Sequence, residues 1–161
     1  MRLFTNPQHK GWMRTQPKRM SSGAMILEND AHELLVVKAN YKNYWTLPGG
    51  IVNSNETPKQ AAIRETSEEV GIILDAADVS FVAIVNRISD EAQTFQFVFG
   101  AYLPAVAAEK IILQKSEIDE CTVVTRAQVL SGDRRYAKAV LNWANGITGY
   151  IEQTFNEGKL A

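Results

Sequence analysis

Apolar residues in the first third of the chain form short runs separated by polar breaks. The segments GAMILEN and ELLVVKA flank the polar residues 30–32 and predict two strands joined as a β-hairpin. Residues 45–47, Trp-Thr-Leu, predict a short third strand, which the Pro-Gly-Gly of residues 48–50 ends in a tight turn.

Two longer apolar runs, VSFVAIVNRI and TFQFVFGAYL, predict a second pair of strands around a polar turn at residues 89–92. Phe95, Phe97 and Phe99 alternate along the second run and therefore share one face of the sheet. Such a face can stack a nucleotide base, but packing against a helix is its more ordinary role. A later run, CTVVT, predicts one more strand.

Two segments carry the signals of helices. Thr57 followed by Pro58 is typical of a helix start, and Gly71 is typical of a helix end. Farther along, RRYAKAVLNWANG has an apolar stripe and predicts a second helix that Gly146 ends. Strands before and after a central helix, with another helix late in the chain, indicate an α/β (α+β) layered domain around a mixed sheet.

The composition is that of one soluble globular domain. The chain has 161 residues, 45% of them hydrophobic and 22% charged, with a formal net charge of −1. This charge gives no general attraction for nucleic acid or a membrane. Neither a membrane span nor a secretory signal is visible. We therefore expect a cytoplasmic protein without a membrane partner, in which Cys121 is a small packed residue and not a nucleophile.

The first 20 residues differ from the rest, because they contain lysine and arginine but no aspartate or glutamate. The prolines at positions 7 and 17 are expected to interrupt regular structure there. We interpret residues 1–20 as a basic N-terminal arm and residues 21–161 as a single domain. We expect the arm to be a surface strap or a partly ordered tail, and contact with phosphates or RNA is the alternative.

Three glutamates follow the predicted helix start at a helical spacing. Glu65, Glu68 and Glu69 stand at i, i+3 and i+4, so a helix projects them from one side. Two unit charges about 6 Å apart repel each other by roughly 3 kcal/mol at an effective dielectric of about 20. Their position near the helix C-terminus adds to the cost, because the helix dipole there favours cations. The cluster therefore calls for a compensating positive ion.

The residue types favour magnesium or manganese as that ion. Carboxylate oxygens suit Mg²⁺ or Mn²⁺ better than zinc, and neither His9 nor His32 has neighbours that would form a nitrogen-rich site. Because Mg²⁺ is commonly held by carboxylates together with substrate phosphates, the pattern indicates phosphoryl or pyrophosphate chemistry.

The flanks of the glutamates make the segment resemble the Nudix box. That motif reads Gly, five residues, Glu, seven residues, Arg-Glu, an apolar residue, any residue, Glu-Glu, any residue, Gly and an apolar residue. The one departure is Thr66, which occupies an apolar slot. Through this resemblance we expect a Nudix-like α/β/α sandwich. The residues that meet the fixed positions are Gly50, Glu56, Arg64, Glu65, Glu68, Glu69, Gly71 and Ile72.

The resemblance implies a role for each of these side chains. Metal ligands would be the glutamates at 65, 68 and 69, with the carbonyl of Gly49 as a frequent addition. Arg64 would orient Glu65, and Glu56 would brace the loop against the helix. The general base varies in the family between a box glutamate, here Glu68, and one on a later loop. In this chain the later candidates are Glu117 and, second to it, Glu120.

The function that the resemblance implies is metal-dependent hydrolysis of a diphosphate bond in a nucleoside diphosphate-linked small molecule, by water attack at phosphorus. Alternatives within the family are removal of oxidised deoxynucleoside triphosphates, hydrolysis of ADP-ribose or other sugar nucleotides, and RNA 5′-end pyrophosphate removal. A non-catalytic nucleotide-sensing module of the same fold is the alternative from another class. Nucleic acid is not the expected partner, and a monomer and a homodimer both remain open. Specificity is expected in residues 40–46, 86–94 and 104–116.

Overall fold

The computed structural model describes residues 7–155, and the side chains of residues 11–154. Five helices and seven strands make up this part of the chain, with a single 3₁₀ turn at Ala76–Asp78. The helices are α1 (Pro7–Thr15), α2 (Pro58–Val70), α3 (Ala105–Ala108), α4 (Arg126–Leu130) and α5 (Lys138–Ala144). The strands are β1 (Ser21–Glu28), β2 (Leu34–Ala39), β3 (Gly49–Ile51), β4 (Ser80–Ser89), β5 (Gln93–Tyr102), β6 (Ile118–Val124) and β7 (Gly149–Phe155).

The seven strands form one mixed sheet in the order β6-β2-β1-β5-β4-β7, and β3 pairs with β1. β1 runs parallel to β5, and β4 runs parallel to β7. The remaining pairs are antiparallel, among them the predicted β1–β2 hairpin and the predicted β4–β5 pair. The sequence-based prediction of a mixed sheet is therefore confirmed.

Helices cover both faces of this sheet. Alternate residues of β1 and β2 point to opposite sides, as the period of a strand requires. One side packs against α4 and α5, in a core that includes Val36, Val129 and Trp143. The other side packs against α2, in a core that includes Met25, Val37 and Val70. The result is the expected α/β/α sandwich.

Two of the three alternating phenylalanines of β5 take the ordinary role of core packing. Phe97 and Phe99 pack in the core on the α2 side, and Phe99 meets Phe81 edge to face with ring centroids 6.1 Å apart. Cys121 is free and half-buried, and burial raises the pKa of its thiol to about 11. A thiol with so high a pKa is a poor nucleophile near neutral pH, as expected.

Two local predictions were wrong, and both concern prolines and glycines. Pro7 does not interrupt the arm but begins α1, because proline is well tolerated at the first position of a helix. Residues 45–47 form only isolated bridges, to Val37 and Tyr136, and the third strand lies instead at Gly49–Ile51. Gly49 suits that strand, because a Cβ there would lie 2.3 Å from the carbonyl oxygen of Gly23 in β1.

The C-terminal third departs most from the prediction. The helix expected from residue 134 begins only at Lys138, because residues 134–136 run beside Trp45 and the N–H of Ala137 donates to the Trp45 carbonyl at 2.7 Å. Helix α4 and strand β7 were not predicted. Of the helices between residues 7 and 155, none has the length and apolar composition that crossing a membrane requires.

Candidate active site

Helix α2 carries the predicted acidic residues, and its ends form as the sequence predicts. Thr57 caps the N-terminus by accepting from the N–H of Gln60, and the Gln60 side chain accepts in return from the N–H of Thr57. At the other end Gly71 adopts a left-handed conformation with φ 73°. Thr66 is fully buried and its hydroxyl donates to the carbonyl of Ala62 at 2.7 Å, so the departure from the box pattern is accommodated.

Arg64 holds three glutamates of the box together. Its guanidinium donates to both oxygens of Glu56 at 2.9 and 3.1 Å, to Glu65 at 2.7 Å and to Glu68 at 2.9 Å. A further bond to the carbonyl of Ile51 ties the helix to β3. The bonds from Glu56 and the other carboxylates raise the pKa of Arg64, which stays charged. The arginine therefore fixes the positions of acidic side chains that would otherwise repel each other.

Glu69 lies apart from this network and is directed toward the sheet. Only 8% of the residue is exposed, and one carboxylate oxygen accepts from the N–H of Gly49 at 2.9 Å. The pKa of Glu69 is raised to about 7, chiefly by burial and also by the negative charges of Glu65 and Glu117, while the bond from Gly49 and the charge of Lys42 oppose the rise. A buried carboxylate with negative neighbours is a site that a cation would stabilise.

The two later candidates for the general base have different surroundings. Glu117 is close enough to Glu69 for their repulsion to affect the pKa of Glu69, so the fold brings it to the acidic cluster. Its carbonyl also accepts from the N–H of Asn40 at 2.9 Å, which fixes the backbone beside the end of β2. Glu120 instead pairs with Lys38 at 3.0 Å on an exposed part of the sheet. Glu117 is thus the candidate that acts on Glu69, whereas Glu120 is engaged by Lys38.

The carboxylate oxygens of the box suit a divalent cation once Arg64 no longer holds those of Glu65 and Glu68. Among the side chains described, those of residues 11–154, no three His, Cys, Asp or Glu lie close enough together to form a ready metal site. Arg64 engages oxygens of Glu65 and Glu68 that a cation would otherwise contact. The Glu68 side chain is 49% exposed and can turn away from Arg64 by rotation. Carboxylates at these positions fit Mg²⁺ or Mn²⁺ in chemistry.

Glycine at position 50 leaves space for the carboxylate of Glu65. A Cβ added at Gly50 would lie 2.3 Å from Glu65 Oε1, a side-chain atom that can move aside. We therefore expect Gly50→Ala to fold normally but to displace Glu65 and to lower kcat by about 10- to 100-fold. Thermal melting and steady-state kinetics on the same preparation separate the two effects. Unchanged turnover would show that the position of Glu65 is unimportant.

A cavity of about 440 Å³ opens beside α4 and α5, on the face of the sheet opposite α2. Tyr44 and Tyr136 contribute aromatic walls, and the chain segment from Tyr44 to Gly49 connects the cavity with the acidic cluster. Four cationic side chains also line it: Arg87, Arg134, Arg135 and Lys138. Its composition suits a ligand with an aromatic ring and anionic groups.

Sequence reasoning found part of this cavity and missed the rest. Tyr44 and Arg87 fall within the ranges 40–46 and 86–94 expected to govern specificity, but the range 104–116 is not among the described residues that line it. The contributions of residues 129–141 and Gln153 were not anticipated. The run of basic residues at 134, 135 and 138 was the available signal. Lys42, which acts on the pKa of Glu69, was included only as part of the range 40–46.

Comparison with known proteins gives matches in sequence and in structure. The family model described as the NUDIX domain matches residues 17–144. The chain is 31% identical over 104 residues to Nudix hydrolase 7 of Arabidopsis thaliana, covering 62% of this chain and 36% of that protein. It is 41% identical over 59 residues to an RNA pyrophosphohydrolase of Pseudomonas paraeruginosa, covering 37% of this chain and 36% of that protein.

A solved structure, the MutT protein from Methanosarcina mazei, has a similar fold. It superposes with a TM-score of 0.65 at 23% identity, covering 81% of this chain and 95% of that one. The matched segments span 36% of the length of both curated relatives. At 23% identity, the structural match shows a shared fold. The two sequence matches show similarity to only part of each relative.

Proposed function

The chain belongs to the Nudix family, and on that premise we propose that it is a metal-dependent pyrophosphohydrolase of a nucleoside diphosphate-linked substrate. The single observation that carries the proposal is the buried carboxylate of Glu69, whose pKa is raised to about 7 among negative neighbours. Burying such a group is costly unless a cation compensates it. A purely structural acidic helix would turn this side chain to water.

In this proposal Glu65, Glu68 and Glu69 hold Mg²⁺ or Mn²⁺, with the carbonyl of Gly49 as a further ligand. When bound, the cation would neutralise charge on the diphosphate and activate the attacking water. Arg64 keeps Glu65 in place while Glu68 turns toward the site. The bidentate pair of Arg64 with Glu56 anchors the guanidinium and thereby braces the loop against α2.

The chemical step is hydrolysis of one phosphoric anhydride bond. The water oxygen bonds to phosphorus, and the bridging P–O bond breaks with its electron pair remaining on the leaving phosphate. A glutamate takes the proton of the water, and we assign this role to Glu117 or Glu68. Glu117 is supported by its electrostatic effect on Glu69.

The proposal predicts release of phosphate products that depends on a divalent cation. Purified protein should hydrolyse at least one member of a panel of nucleoside triphosphates, sugar nucleotides and dinucleotides with Mg²⁺ or Mn²⁺. Colorimetric detection of phosphate and pyrophosphate, with EDTA as the negative control, gives the measurement. Binding of nucleotides without hydrolysis of any of them would instead support the non-catalytic sensing role.

Removal of pyrophosphate from RNA 5′ ends is the second candidate. The relative named RNA pyrophosphohydrolase supports it. The basic residues of the arm, including Arg14, Lys18 and Arg19, give it a physical basis. Hydrolysis of 5′-triphosphorylated RNA that weakens steeply with salt, and that falls on removal of residues 1–20, would favour this activity over hydrolysis of free nucleotides.

A further inference from the structure

The cavity beside α4 and α5 contains positive charge that the acidic cluster does not explain. Arg134, Arg135 and Lys138 reach it from the exposed segment before and at the start of α5, and Arg87 enters it from β4. Among the described residues that line it there is no aspartate or glutamate. Because the formal net charge of the chain is −1, this excess belongs to the cavity and not to the surface as a whole.

The part of the cavity formed by the sheet offers a donor beside an acceptor. Arg87 and Gln153 are partners across β4 and β7, and the guanidinium of Arg87 donates to Gln96 Oε1. Burial lowers the pKa of Arg87, so this guanidinium is poorly hydrated. The buried Oε1 atom of Gln153 has no hydrogen-bond partner within the described part of the chain. A ligand that donates to Gln153 would satisfy it, and the edge of a nucleobase can do so.

A short stretch of chain joins this cavity to the acidic cluster. Tyr44 lines the cavity, and Gly49, which donates to Glu69, is five residues farther on and hence at most about 18 Å away. The Nζ of Lys42 lies 5.9 Å from the ring centre of Tyr44, and the charge of Lys42 also lowers the pKa of Glu69. Lys42 is thus a cation shared by the surroundings of the cavity and of the carboxylates.

We propose, on the premise of the hydrolase function above, that the substrate is a nucleotide with a second phosphate on the far side of its sugar. Arg134, Arg135 and Lys138 hold that phosphate while the scissile diphosphate lies at the carboxylates. The phosphates of a simple mononucleotide would all lie at the carboxylate end and leave these three cations without an anion. A 3′-phosphomonoester and the first 3′-phosphodiester of a 5′-triphosphorylated strand both present the required chemistry.

Three substrates with the same base test this arrangement. They are a nucleoside 5′-triphosphate, its 3′-phosphorylated form and a 5′-triphosphorylated dinucleotide, each assayed with Mg²⁺ over a range of salt. We expect kcat/KM to be at least about 10-fold higher for one or both of the extended substrates. A preference confined to the dinucleotide identifies the phosphodiester as the ligand, and one confined to the 3′-phosphorylated form identifies the phosphomonoester.

Replacing the cations identifies the residues responsible. In the double variant Arg135→Gln, Lys138→Gln the ratio of kcat/KM between extended and simple substrates should fall to about 1, with a shallower salt dependence. Lys59→Gln is the matched control for Lys138→Gln, because it removes a cation on α2 that does not line the cavity and should leave the ratio unchanged. Equal kcat/KM for all three substrates, or a preference that the double variant keeps, overturns the inference.

Binding without turnover separates this inference from the hydrolase function. Fluorescence anisotropy in EDTA, with a labelled 5′-phosphorylated dinucleotide and the matching labelled mononucleotide, should show tighter binding of the dinucleotide by about 10-fold. The double variant should lose that difference. If no substrate is hydrolysed but this difference persists, the hydrolase function fails and the phosphate site stands. If hydrolysis occurs but no extended ligand binds or reacts better, the phosphate site fails alone.

Discussion

Replacing Glu69 by glutamine should reduce turnover by about 100- to 1,000-fold while the fold remains intact. A charged ligand to a divalent cation stabilises the transition state by several kcal/mol, and each 1.4 kcal/mol corresponds to a factor of ten in rate. The glutamine can still accept from the N–H of Gly49 through its carbonyl oxygen, so the bond between helix and strand is kept. Steady-state kinetics over a range of Mg²⁺ concentrations provides the measurement.

Thermal melting in EDTA supplies the second half of this test. Without a cation, the ionised form of Glu69 is opposed by burial and by the charges of Glu65 and Glu117, so the glutamine variant should melt at the same temperature or higher. Glu33→Gln is the matched control, because its carboxylate also accepts one hydrogen bond, from Asn29 at 2.9 Å, in a turn far along the chain from the box. Near-normal turnover of Glu69→Gln on every substrate would refute its assigned role.

Gly23→Ala should produce the largest loss of stability of any conservative substitution considered. A Cβ at this position in β1 would lie 2.3 Å from the carbonyl oxygen of Pro58 and 2.8 Å from the nitrogen of Ala62. Both are backbone atoms of α2 and cannot rotate aside, so the helix must shift away from the sheet. We expect the free energy of unfolding to fall by roughly 3 kcal/mol, and the melting temperature by roughly 6–12 °C.

The same substitution should also lower activity more than the stability loss alone explains, because α2 carries the glutamates that face β3. Chemical denaturation and kinetics below the melting range distinguish the two effects. Gly11→Ala is the control, since a Cβ added there would meet nothing within 4 Å apart from its chain neighbours and the nearby backbone of its own helix. Equal stability of the Gly23 and Gly11 variants would mean that the close contact between α2 and β1 is not rigid.

Helix α2 was predictable because its signals are local. Its cap at Thr57, the proline after it and Gly71 act on their immediate neighbours, and the structure has a helix between these limits. Helix α4 was missed although Thr125 and Gln128 form a capping box like that of Thr57 and Gln60. That motif stands before only five helical residues, too few for a clear apolar period.

The remaining errors arise from contacts between distant segments. Residues 134–136 have a helical pattern in sequence, but pairing with Trp45 holds them extended. Strand β7 becomes regular only because β4 offers it a parallel partner. For the same reason the cationic cavity could not be foreseen as one site, since its walls come from segments that meet only in the folded chain. The bond between Glu69 and Gly49, by contrast, joins two motifs that the sequence already singled out.

The parallel pairing of β1 with β5 at the centre of the sheet has a consequence for folding. Ser21 lies beside Phe95 and Glu28 beside Tyr102, so the middle of the sheet cannot form until most of the chain is available. Domains dominated by such non-local contacts fold more slowly than helical bundles of similar stability. On the ribosome, the nascent chain would carry an unpaired β1 edge until β5 emerged, and during that interval it would be most exposed to aggregation.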